Sequence, residues 1–209
     1  TAIDYLERAI TSERVTPASR PDVFATLGHA YSFVGDPRRA ADLFERCLTD
    51  LKQLAPDDSA SRVRFSTYLS YALTDLGNLR RANEVVEDAL ELSSEAADPY
   101  TRVRLYWSLG RIAYEQSQPQ TALEHFRRAV ALLEATEDTI HLARAYLSCA
   151  AAALASTGDL EDVARQVDHA VSLLGPRPAD SDLAIVRWLQ AMLRSEEHTS
   201  ELQSRETIS

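Results

Sequence analysis

The sequence predicts an all-α protein, a solenoid of antiparallel helix hairpins that repeats about every 41 residues. Three observations lead there. The 209 residues contain only Gly 6 and Pro 8, Ala and Leu are frequent, and the β-branched residues form no alternating run of the kind a half-buried strand needs. A set of apolar and small residues recurs along the chain at a fixed spacing. At each recurrence, residues that end one helix stand directly before residues that begin another.

The first copy carries Leu27-Gly28-His29-Ala30-Tyr31, then Gly35, then Ala40, Phe44 and Cys47. The same offsets return as Leu69, Ser70, Leu73, Gly77, Ala82, Val86 and Ala89, and again as Leu109, Gly110, Ala113, Ser117, Ala122, Phe126 and Ala129. A weaker fourth copy runs Ala150, Ala151, Leu154, Gly158, Val163, Val167 and Ala170. The turn residues Gly35, Gly77, Ser117 and Gly158 are 42, 40 and 41 apart, and the small residues Cys47, Ala89, Ala129 and Ala170 keep that spacing. Each copy has the physics of a hairpin. Glycine accepts the left-handed conformation that closes the first helix. Asp36-Pro37 and Asp159 supply capping oxygens and a proline suited to the start of the second. Gly28 or Gly110, facing Ala40, Ala82 or Ala122, leaves room for close backbone approach, and Phe44, Val86, Phe126 and Val167 fill the seam to the next copy.

These residues resemble the tetratricopeptide repeat family, whose pattern is L-G-x-A-Y, a turn glycine, then small, aromatic and small residues along the second helix. The resemblance runs from Thr1 to about Met192, with Ala2, Leu6 and Ala9 fitting the second helix of a preceding repeat. It implies a right-handed superhelix with a concave groove. The period exceeds the family's usual value of about 34, which implies longer helices and leaves a two-helix HEAT-type repeat as the second fold; the L-G-H-A-Y motif and the hairpin glycines favour the first. Residues 1–193 are expected to be a repeat array cut at both ends, because Ala2, Tyr5 and Leu6 at one end and Trp188, Leu189 and Met192 at the other would lie open and offer homodimer contacts. Three further segments, Ala96 to Arg111, Leu132 to Ala145 and Leu173 to Pro178, resemble the C-terminal sensor arrays of helix-turn-helix transcriptional regulators from high-GC bacteria. That resemblance implies an N-terminal DNA-binding domain outside this sequence.

Residues 194–209 read differently. Arg194 to Ser204, R-S-E-E-H-T-S-E-L-Q-S, resembles the in-frame translation of a sequencing-library adaptor, so the segment is expected to be a disordered, non-native tail. The formal net charge is −10 and stays strongly acidic without that tail. Lys52 is the single lysine among 22 basic residues, the codon signature of a GC-rich genome rather than of nucleic-acid chemistry. An acidic chain with no basic cluster repels a phosphate backbone, so no direct nucleic-acid contact is expected. No stretch approaches the roughly 18 apolar residues of a membrane helix and no export signal is visible, which points to the cytoplasm. Cys47 and Cys149 sit at packing positions inside helical patterns, as in a reducing compartment.

Positions four and then three apart on each first helix fall on one face, the one that would line the concave groove. They are Ala25, His29 and Ser32; Thr67, Tyr71 and Thr74; Trp107, Arg111 and Tyr114; Ser148, Ala152 and Ala155. His29, Tyr71, Trp107, Arg111 and Tyr114 are the candidate ligand-contacting residues. The aromatic pair Trp107 and Tyr114 suits an apolar ligand group, and Arg111 suits a carboxylate such as a peptide C-terminus. Trp107 and Tyr114 also read as packing residues, and Arg111 as an ordinary surface arginine. No cofactor, metal or catalytic residue is expected. His29, His125, His141 and His169 lack ligand spacing, neither cysteine has a local His, and no phosphate loop, zinc helix or nucleophile elbow occurs. The sequence therefore predicts a non-enzymatic module that binds a protein or peptide, with a small molecule as the second ligand class. Its role is the sensor of a regulator, or alternatively a free-standing interaction scaffold.

Overall fold

The computed structural model describes residues 1–12, 14–93, 99–156, 158–176 and 178–207, without the side chains of Pro99, Glu197 and residues 199–207. All ten elements among them are helices: α1 (Ala2–Ile10), α2 (Pro21–Phe33), α3 (Pro37–Leu54), α4 (Ser59–Asp75), α5 (Leu79–Leu92), α6 (Pro99–Glu115), α7 (Pro119–Leu133), α8 (Thr139–Ser156), α9 (Leu160–Leu174) and α10 (Asp180–Thr207). They form two compact units, residues 1–112 and 113–209. Parts of two regulator-like segments, residues 96–98 and Arg177, lie outside the described residues.

The turns follow from their residues. Gly35 and Gly77 take φ of 82° and 73°. At the first turn the Gly35 amide donates to the Ser32 carbonyl at 3.0 Å and the Asp36 amide to the Tyr31 carbonyl at 2.9 Å. The second turn repeats this pair through Gly77 and Asn78. These bonds satisfy carbonyls that a helix end otherwise leaves without partners. The third turn has the same bonds with Ser117, whose φ of 59° makes it the one described non-glycine residue in the left-handed region. Asp36 then caps α3 by accepting from the Arg39 amide at 3.1 Å, with Pro37 in the first turn. Asp159 caps α9 by accepting from the Asp162 amide at 3.0 Å. Asn78 and Gln118 occupy the corresponding places without a side-chain cap.

In the first unit each helix packs on its chain neighbour from α1 to α5, and α2 also touches α4. The core runs through Leu27, Leu43, Phe44, Leu51, Phe65, Leu69 and Val86. Gly28 makes room for Phe44 in the first hairpin: a Cβ there would stand 2.0 Å from Cζ of Phe44. Phe44 in turn leans on Phe65 and Tyr68 of α4, with ring centroids at 6.0 and 5.5 Å, so it closes the seam to the next repeat as its spacing predicts. Tyr31 donates its hydroxyl to Glu7 of α1 at 2.7 Å, and Arg39 pairs with Glu7 and covers the Tyr31 ring at 4.2 Å. In the second unit α8 packs on α7 and α9, and α10 packs on α9 and α8.

Two expectations at the C-terminal end need correction. Leu189 does not lie open: it is fully buried, because Val186, Leu189 and Leu193 form the inward face of α10. Nor does an element end at residue 193. The helix continues to Thr207 through the segment read as a disordered tail, where residues such as Glu196 and Glu201 favour helix and no Gly or Pro interrupts it.

Candidate functional site

In the first unit the repeat register puts His29 on α2, Tyr71 on α4 and Arg111 on α6 at equivalent positions, 42 and 40 residues apart. His29 is exposed and meets the Tyr68 ring edge-on, centroids 4.6 Å apart. Partial burial, and then the charge of Arg64, push its pKa below the usual imidazole value, which favours the neutral ring. Tyr71 is half-buried; burial raises its phenol, opposed by a bond with Ser108 and by the charges of Arg104 and Arg111. Trp107 is also half-buried. Arg111 is already engaged, its Nη2 donating to Asp75 of α4 at 2.5 Å, with both side chains about two-fifths exposed. It is therefore not a vacant carboxylate receptor.

Sequence reasoning missed that partner because Asp75 is 36 residues from Arg111 and belongs to the preceding repeat. The arrangement recurs. Arg64 of α4 reaches Asp22 of α2 at 2.7 Å, and Arg144 of α8 holds Asp182 of α10 through two bonds of 2.8 and 3.0 Å. Thr67 and Thr74, read as groove positions, are buried, as are Ser70 of the packing register and Ser108. Ser70 donates to the Thr67 carbonyl and lies 3.2 Å from the Ser108 hydroxyl, while Thr67 and Thr74 donate to carbonyls one turn back. Ala25, Thr67, Thr74 and Ala152, expected along the groove, are all buried.

The second unit contains an open cleft of about 310 Å³ lined by Tyr114, Leu154, Ala155, Trp188 and Met192, with Glu196 at it as well. Tyr114 and Trp188 are 38% and 47% exposed and share this one cleft, so together they form a patch rather than isolated surface aromatics. The cleft exists because α8 is built from small residues here: Ala151 and Ala155 leave the floor low. Sequence analysis placed Tyr114 in a binding face but read Trp188 and Met192 only as an open end. Their spacing of four, one helical turn on α10, was the available signal.

The chemistry of the remaining polar groups is structural. Cys47 and Cys149 are buried free thiols, each pushed up to about 12 chiefly by burial, so neither is a ready nucleophile. His141 sits 2.7 Å from Asp138, the residue just before α8, and His169 packs edge-on to Tyr146. No cluster of three metal-ligating side chains occurs among the described residues, and no described helix is long and apolar enough to cross a membrane.

Stacked helix hairpins with open aromatic clefts define a helical repeat module of the protein-interaction type. Two sequence models of the tetratricopeptide repeat match residues 64–135 and 24–59, together more than half of the chain. The chain belongs to the tetratricopeptide repeat family. Among solved structures it is similar to the nearly identical TPR-like repeats of a Podosopora anserina protein assigned as a kinesin light chain. That match has TM-score 0.67 and 18% identity over 87% of this chain and 96% of the other. It is also similar to BtubC (BKLC) from P. vanneervenii, with TM-score 0.69 and 15% identity over 97% and 85% of the two chains. A third is MamA from Desulfovibrio magneticus RS-1, with TM-score 0.51 and 18% identity over 90% and 95%. No curated protein matches the chain. At these identities the likeness is one of fold.

Proposed function

We propose that this array is the ligand-sensing part of a helix-turn-helix transcriptional regulator and that its ligand is a protein or peptide. The observation that carries the binding role is the open cleft in which Tyr114 and Trp188 stand exposed over an alanine floor. Such a cleft suits an aromatic or aliphatic anchor side chain, because rigid aromatic walls exclude water around it at small entropic cost. In the first unit His29, Tyr71, Trp107 and Arg111 form a second contact face, with Arg111 offering its remaining N–H donors beside Asp75. The regulator context rests on the segments Ala96 to Arg111, Leu132 to Ala145 and Leu173 to Pro178. In this role ligand binding shifts the array between two curvatures and so alters the disposition of a DNA-binding domain. The scaffold alternative has the same binding surfaces and no output domain.

Sequencing the native locus with reads that span both ends of this open reading frame tests the proposal. An in-frame helix-turn-helix upstream, with a native partner helix in place of residues 194–209, is the expected result. A frame that opens just before Thr1 with only repeats around it would reject the regulator in favour of the scaffold. A native continuation identical to residues 194–209 would reject the adaptor reading.

A further inference from the structure

A second cleft, of about 240 Å³, opens in the first unit between the N-terminal halves of α4 and α6. One wall presents Ser61, Arg64 and Tyr68, and the other Thr101 and Arg104; among the described residues no carboxylate lines it. In a chain of net charge −10 such a cationic pocket is contrary to the average surface. Arg64 and Arg104 occupy the same place in successive repeats, 40 residues apart like the turns Gly77 and Ser117. Their states differ. Arg64 donates Nε to the Tyr68 hydroxyl at 3.2 Å and Nη2 to Asp22 at 2.7 Å. Arg104 is exposed and has no ion pair or hydrogen bond among the described residues, although its charge is felt by the Tyr71 phenol.

The Tyr68 oxygen accepts from Arg64, which leaves its own O–H proton to donate. Thr67 is excluded as a donor, because its hydroxyl is spent on the Val63 carbonyl. Ser61 and Thr101 are each the third residue of their helix, where the positive end of the helix dipole adds to the field. Among the described residues, Asp22 is bound to Arg64, and Asp58 caps α4 by accepting from the Ser61 amide at 2.9 Å. Two guanidinium groups and three hydroxyls on opposite walls exceed what the two oxygens of a planar carboxylate can use. They match a tetrahedral dianion with three oxygens to satisfy.

We infer that this cleft binds a phosphoryl monoester, with Arg104 as the principal cation, the Tyr68, Ser61 and Thr101 hydroxyls as donors, and Arg64 as a second cation held in reserve by Asp22. The site lies wholly in the first unit and does not depend on the Tyr114–Trp188 cleft or on the regulator reading.

Titration calorimetry with phenyl phosphate, inorganic phosphate and benzoate tests it on the whole chain. Phenyl phosphate is expected to bind with an affinity that falls as salt rises, and benzoate at least about tenfold more weakly. Arg104→Gln should weaken phenyl phosphate about tenfold or more, and Arg104→Lys should weaken it less. Asp22→Asn should strengthen it severalfold by releasing Arg64. Both positions are exposed, so the fold, followed by circular dichroism, should not change. Binding of inorganic phosphate as tight as that of phenyl phosphate would place the ligand among free phosphates and overturn the ester. Equal binding of benzoate would make this a carboxylate site and overturn the phosphoryl assignment. No heat with any probe, or affinity indifferent to Arg104→Gln, would overturn the site.

Discussion

The first and second hairpins solve one packing problem in two ways. In the first, Gly28 removes a side chain so that the ring of Phe44 can occupy the space between helices. In the second, Ser70 stands at the glycine position, is fully buried, and faces the register position held by the smaller Val86. The sequence alternates likewise further on: glycine with phenylalanine at Gly110 and Phe126, alanine with valine at Ala151 and Val167. At these register positions a larger small residue goes with a smaller apolar one, the trade expected of interiors packed near crystal density.

The largest effect should come from breaking that balance. Gly28→Ala should cost about 1–3 kcal/mol, since the buried Phe44 ring is pinned by Phe65 and Tyr68 and cannot swing aside. The same substitution in a Phe44→Val background, the second hairpin's solution, should cost close to nothing. Urea denaturation of the two single variants and the double variant gives the coupling directly; an equal cost in both backgrounds would refute the volume account. The helix starts differ by less. Asp36→Ala should lose about 1 kcal/mol because the Arg39 amide loses its acceptor, whereas Asn78→Ala should lose less than half of that, having no cap bond to break. Smallest, and opposite in sign, is Ser117→Gly. Relieving a left-handed serine at the third turn should raise stability by about 0.5–1 kcal/mol, seen as a higher urea midpoint.

Much of this architecture was readable from residue spacing. The turns at Gly35, Gly77, Ser117 and Gly158, the caps at Asp36 and Asp159 and the inward placement of Phe44 and Cys47 depend on neighbours within one hairpin, and local periodicity reports local neighbours. The site was less readable, because its contacts join successive repeats. Arg111 looked like a ligand-binding cation until Asp75 was found against it, and Arg104 drew no notice because a vacant guanidinium has no signature in a one-dimensional pattern. Leu189 and Trp188 are adjacent in sequence but point about 100° apart around α10, one fully buried and the other half exposed. The alanine floor of α8, which makes Trp188 a cleft wall, becomes visible only when α10 is packed against it.

On the proposed reading, the Tyr114–Trp188 cleft is where this array grips a partner chain. Selecting tight binders from a random peptide display library and measuring their Kd for the wild type, Tyr114→Ala and Trp188→Ala tests it most directly. Both side chains are partly exposed, so helix content should be unchanged, while each substitution should weaken binding by at least about tenfold for peptides with an aromatic or aliphatic anchor. Undiminished affinity in both variants would contradict the claim.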